Sequence, residues 1–96
     1  MYPAVFKITA NAGPRDSTAI TFDGDLRVAE LAVLSETISK ARVKGGRVLL
    51  DLTGVQVVDR AAIQQLGEWR DGGIEIRNSP AYVCAWMEQE RKGPIS

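Results

Sequence analysis

Asp51 and Asp59 are the two carboxylates whose placement most invites a chemical reading. A pair of carboxylates brought together can divide general-acid and general-base work between them. Asp51, however, interrupts the apolar run Val48-Leu49-Leu50-Asp51-Leu52 near its end, and Asp59 stands immediately ahead of a helical pattern. A carboxylate in that second position accepts hydrogen bonds from backbone N–H groups one turn on. Structural roles therefore outweigh catalysis for both. Asp23 and Asp25 flank Gly24 and offer oxygens to a hard cation. Two carboxylates without further ligands make a weak calcium signal, and a tight turn is the stronger expectation.

Arg60 follows Asp59, and a cation in the first turn of a helix opposes the helix dipole. Its functional reading is a contact with a partner, or an anion held between the guanidinium and the helix N-terminus. Its simpler reading is an exposed arginine paired with a neighbouring acid. Thr53 is the one hydroxyl between the apolar run and Ile63, and a turn role is expected for it.

The parts of most active sites are missing. The chain has no histidine and a single cysteine, Cys84, which removes the commonest general base and the commonest metal ligands. No catalytic residue, metal site or cofactor is expected. Twelve basic and twelve acidic residues cancel, and neither Arg91-Lys92 nor the Arg42/Lys44/Arg47 group forms the basic stripe that nucleic acid demands. A lone cysteine forms no intrachain disulfide and fits a reducing compartment. Met1 to Lys7 lacks the pattern of a signal peptide, and no apolar stretch approaches the ~20 residues that span a bilayer. A cytoplasmic protein without membrane insertion is the expectation.

These residues must be positioned by one compact domain over residues 1–96, since the chain is too short for two. Val5, Phe6, Ile8 and Ala10 begin a strand that stops in the breaker-rich stretch from Asn11 to Asp16. Thr18 to Phe22 alternates as a second strand, with a turn at Asp23-Gly24-Asp25, and the two should form an antiparallel hairpin. Val28, Leu31, Leu34, Ile38 and Ala41 mark one face of a helix from about Val28 to Val43, stopped by Lys44-Gly45-Gly46. Val48 to Leu52 suits a central strand, broken by Thr53-Gly54. A second helix capped by Asp59 should turn Ala62, Ile63, Leu66 and Trp69 inward and end at Asp71-Gly72-Gly73.

Ile74 to Ile76 makes a short strand, and Ser79-Pro80 starts a last helix with serine as its cap, ended by Gly93-Pro94. The order β-β-α-β-α-β-α implies a small mixed β-sheet with helices packed against it. Tyr82, Val83, Trp86 and Met87 occupy adjacent rows of the last helix. Core packing is the default for Trp69, Tyr82 and Trp86, although Tyr82 and Trp86 are also the leading dimer surface. Cys84 beside them is expected to be buried or half-buried.

The segment from Val48 to Leu66 resembles the STAS family, the anti-sigma factor antagonists and related domains of anion transporters. That family's pattern is a hydrophobic strand, Asp-Leu-Ser-Gly-Val, a short hydrophobic stretch ending in Asp, then Ser-Ser-Gly-Leu opening a helix. This chain has Asp51-Leu52-Thr53-Gly54-Val55, then Asp59. The element order over residues 5–91 is also similar to the family's. In regulatory members a serine at the helix start is phosphorylated by a partner kinase, often the anti-sigma factor itself. Here Arg60 and Ala61 stand at the two serine positions and Ala62 replaces the glycine, so Ala61 leaves the phosphoacceptor position chemically silent.

The resemblance implies a non-catalytic interaction module in bacterial transcriptional or stress regulation, with an anti-sigma factor or regulatory kinase as partner. Its expected partner surface is the loop and helix start comprising Thr53, Asp59, Arg60, Ala61 and Ile63. Because the family includes ligand-binding members, a domain that binds a nucleotide or other small anion is the alternative. An enzyme is the third and weakest reading.

Overall fold

A computed structural model describes residues 6–13 and 15–92. The elements run β1 (Phe6–Ala12), β2 (Thr18–Leu26), α1 (Val28–Val43), β3 (Val48–Val58), α2 (Arg60–Asp71), β4 (Glu75–Arg77) and α3 (Ala81–Lys92). The sheet has four strands in the order β1-β2-β3-β4. β1 is antiparallel to β2, while β2, β3 and β4 are parallel. The fold is a small α/β domain with a mixed sheet and three helices, as the order of elements implies.

Both crossovers, β2-α1-β3 and β3-α2-β4, step the same way across the sheet. Right-handed connections therefore put α1 and α2 on one face, and α3 joins that layer by packing on α2. The core lies between the layers. Ile20, Phe22, Leu26, Leu50 and Leu52 from the sheet meet Leu34, Ile38, Ile63, Leu66 and Val83 from the helices, all essentially inaccessible to water. The opposite face carries Lys7, Thr9, Thr21, Asp23, Asp51, Glu75 and Arg77, with Ala19 and Leu49 as its half-buried apolar members. Parallel strands are usually covered on both faces, so this polar face is unusual for the fold class.

Two stretches read as breaks in the sequence are continuous strand. β2 runs through Asp23-Gly24-Asp25 to Leu26, so there is no turn there, and β3 runs through Thr53-Gly54 to Val58. The reason lies in the register. Thr21 pairs with Asp51 but Asp23 with Gly54, and Gly24 pairs with Val55 but Leu26 with Val58. At each shift β3 uses one more residue than β2, as a bulge does. The buried positions of β3 are accordingly Val48, Leu50 and Leu52, then Val55 and Val58, so the spacing lengthens from two residues to three. Gly54 lets the strands approach closely at the first shift: a Cβ there would fall 1.8 Å from an Asp23 carboxylate oxygen and 3.0 Å from the Asp23 Cα, so the Asp23 side chain would have to move aside.

Smaller expectations also change. Val28 opens α1 but is 63% exposed, because the inward stripe starts with half-buried Leu31 and buried Leu34. Pro80, rather than Ser79, heads α3: its carbonyl accepts from Val83 and Cys84 N–H groups, and the Ser79 hydroxyl lies against Cys84 Sγ at 2.7 Å. Cys84 is exposed. Val5 and the Gly93-Pro94 stop lie outside the described residues. The Glu36–Lys40 pair forms at 3.4 Å on the outer side of α1, as their spacing predicts.

Candidate functional site: the paired helix starts at Asp59

Leu26 and Val58 are paired at the ends of two neighbouring parallel strands. One residue then links each strand to its helix: Arg27 leads into α1 and Asp59 into α2. Two helix N-termini therefore lie side by side at the carboxyl edge of the sheet. Each brings backbone N–H groups with no partner inside its own helix.

Asp59 serves both. Its backbone is extended, and its Oδ1 accepts the Ala62 N–H at 2.9 Å, the ordinary capping bond for α2. Its Oδ2 accepts the Val28 N–H of α1, also at 2.9 Å. The cause is visible in the sequence of α1: its cap position holds Arg27, whose side chain has no acceptor. Glu30 reaches back to the Arg27 N–H at 3.1 Å, and Asp59 supplies the acceptor that Arg27 lacks. One carboxylate thus sits at the positive ends of two helix dipoles. Arg27 turns its guanidinium to Asp25 at 3.4 Å.

Arg60 is 70% exposed and pairs through Nε with Glu90 of α3 at 3.1 Å. The Gln64 amide donates to the same Glu90 oxygen at 3.2 Å. The simpler expectation for Arg60, a neighbouring acid, describes the geometry, and most of the guanidinium still faces solvent. Ala61 is half-buried and Ala62 buried. Ile63 is fully buried in the core and cannot be part of a contact surface, which corrects its place among the expected partner residues.

Thr53 is also displaced from that surface. It lies within β3, six residues before Asp59, and at ~3.3 Å per strand residue this is on the order of 20 Å away. Its N–H and hydroxyl both donate to Asp51 Oδ1, at 2.8 and 2.5 Å. Asn78 donates to the other oxygen at 3.1 Å, tying the end of β4 to β3. The hydroxyl bond and then the backbone bond from Thr53 hold the Asp51 carboxyl below its usual value, assisted by Asn78 and the Arg77 charge and opposed by partial desolvation. Asp51 and Asp59 are at different places in the sheet and do not form a pair.

Tyr82 is 48% exposed, and its hydroxyl donates to the Gln56 carbonyl at 2.6 Å, on the part of β3 that β4 is too short to cover. Trp86 is half-buried against the core. A groove of about 400 Å³ runs between α2 and α3, with buried Ile63 and Met87 beneath its floor at Gly67 and with Glu68, Arg70, Asp71 and Glu90 along its polar sides. Among the described residues, no group of three or more histidine, cysteine, aspartate or glutamate side chains is placed to hold a metal, and no helix is long and apolar enough to cross a membrane.

The partners Val28, Glu90 and Gln56 were not legible from local pattern, because each lies 26 to 31 residues from the group it meets. The Asp51-x-Thr53 bond did carry a signal, since aspartate commonly bonds the backbone two residues on. The chain matches no protein-family model and no curated protein.

Proposed function

We propose that this chain is a STAS-like module that binds a protein partner, of the anti-sigma factor or regulatory kinase kind, through the paired helix starts around Asp59, Arg60 and Ala61. Binding is not switched by phosphorylation there, and the module does no chemistry itself. The observation that carries this reading is the pair of hydrogen bonds that the Asp59 carboxylate accepts from the Ala62 and Val28 N–H groups. It ties both helix starts together at the carboxyl edge of the sheet, the side on which open α/β sheets bind their ligands. The carboxylate already occupies N–H groups that a phosphate would seek, and Ala61 offers no hydroxyl.

The small-anion alternative receives less support. The α2–α3 groove carries the carboxylates Glu68, Asp71 and Glu90, with Arg70 engaged by Glu88 at 3.3 Å. A nucleotide phosphate there would meet like charge. Affinity purification of the tagged chain from its host, followed by reconstitution with the purified candidate, tests the proposal. Recovery of an anti-sigma factor or kinase that binds directly, and gains no phosphate on this chain with ATP, is the expected result. Stabilisation by nucleotides in a thermal-shift assay with no directly binding partner would overturn it.

A further inference from the structure

β1 forms an outer edge of the sheet, and among the described residues it pairs with β2 alone. Its register places Ile8 opposite Phe22 and Ala10 opposite Ile20, two residues fully buried beneath the helices. Phe6, Ile8, Ala10 and Ala12 therefore share the core face of the sheet. Phe6 stacks on Phe22 with ring centroids 5.6 Å apart. The helical layer packs mainly over the strands beyond β1, leaving Phe6 and Ile8 half-buried and Ala10 and Ala12 exposed. Natural edge strands are protected by charge, proline or bulges. Within Phe6–Ala12 only Lys7 does this, and its register with β2 is unbroken.

We infer that β1 pairs with β1 of a second copy of this chain, antiparallel and about a two-fold axis at Thr9, giving a continuous eight-stranded sheet. The register follows from the residues. Residues facing each other across an antiparallel pair share a face, and a one-residue slip would turn the copy's core face outward. A two-fold at Thr9 engages all seven residues of the strand. It sets Phe6 against Ala12 and Ile8 against Ala10 on the core face, large against small. On the polar face it sets Lys7 against Asn11 and Thr9 against its own counterpart, so no like charges meet. Centring on Lys7 instead would oppose two lysines.

Sedimentation equilibrium of the full chain carrying Cys84→Ser, with cysteine placed singly along β1, tests this. The expected mass is twice 10.4 kDa at high concentration. Thr9→Cys should oxidise readily to a disulfide-linked dimer, because directly opposed residues approach to ~5 Å between Cβ atoms. Lys7→Cys should not, since its counterpart would lie four residues away, ~14 Å along the strand. Ala10→Lys, at an exposed position, should weaken dimerisation at least ~10-fold with unchanged thermal unfolding of the monomer. A monomer at every concentration overturns the inference. So does a dimer insensitive to Ala10→Lys, or one crosslinked by Lys7→Cys rather than Thr9→Cys.

Discussion

Val28 and Asp59 lie 31 residues apart in sequence, and a 2.9 Å hydrogen bond joins the backbone N–H of the first to the carboxylate of the second. The helix α1 thereby takes its cap from the residue that caps α2. Two crossover units are fixed to one another at a single side chain, at the same edge of the sheet where Arg60 is presented to solvent.

Removing that carboxylate should loosen both helix starts. Asp59→Ala should lose about 2–3 kcal/mol in urea denaturation, since a cap alone is worth about 1 kcal/mol and the second bond also involves a charged acceptor. Asp59→Asn, which keeps one acceptor oxygen, should lose less. A loss no larger than about 1 kcal/mol for Asp59→Ala would show that the bond to Val28 contributes nothing.

Gly54→Ala should destabilise by about 1–3 kcal/mol, as overpacking does, because its Cβ would strike the Asp23 carboxylate. The double variant Asp23→Ala/Gly54→Ala should recover part of that loss. If the second substitution recovers nothing, the clash lies with the Asp23 backbone and not its side chain. The same denaturation curves decide the point.

Acid should reveal the role of Asp51. Its folded-state pKa is depressed from 3.8 by the bonds from Thr53, so the stability it contributes is fully present above the unfolded value and is lost as pH falls through the folded one. Urea midpoints followed downward from about pH 6 should show wild type and Asp51→Asn converging below about pH 4. Parallel curves across that range would contradict the assigned bonds.

Tyr82→Phe should cost about 1 kcal/mol, the value of one net hydrogen bond to the Gln56 carbonyl. A neutral result would mean that water replaces the hydroxyl without loss.

The fold was legible wherever pattern and period agree. The helices at Val28–Val43 and Arg60–Asp71 follow from apolar residues three and four apart and from a recognisable cap at Asp59. Local rules take Asp23-Gly24-Asp25 and Thr53-Gly54 as turns and so make β2 and β3 too short. Their pairing with each other, through two register shifts, overrides those preferences. Within the candidate site, Asp59 as a cap and Arg60 as an ion-pair partner were readable. The identity of Glu90, the reach to Val28 and the burial of Ile63 were not, since each depends on how distant elements pack.

Arg60, at the paired helix starts, is the side chain proposed to face a protein partner. Titration calorimetry of the reconstituted partner against wild type, Arg60→Ala and Glu90→Ala tests it most directly. The Glu90 variant removes the ion pair but keeps the guanidinium, so it separates contact from structural support. Arg60→Ala should weaken binding at least ~10-fold, about 1.4 kcal/mol, while Glu90→Ala binds nearly as wild type does. Equal affinity for wild type and Arg60→Ala would contradict the claim.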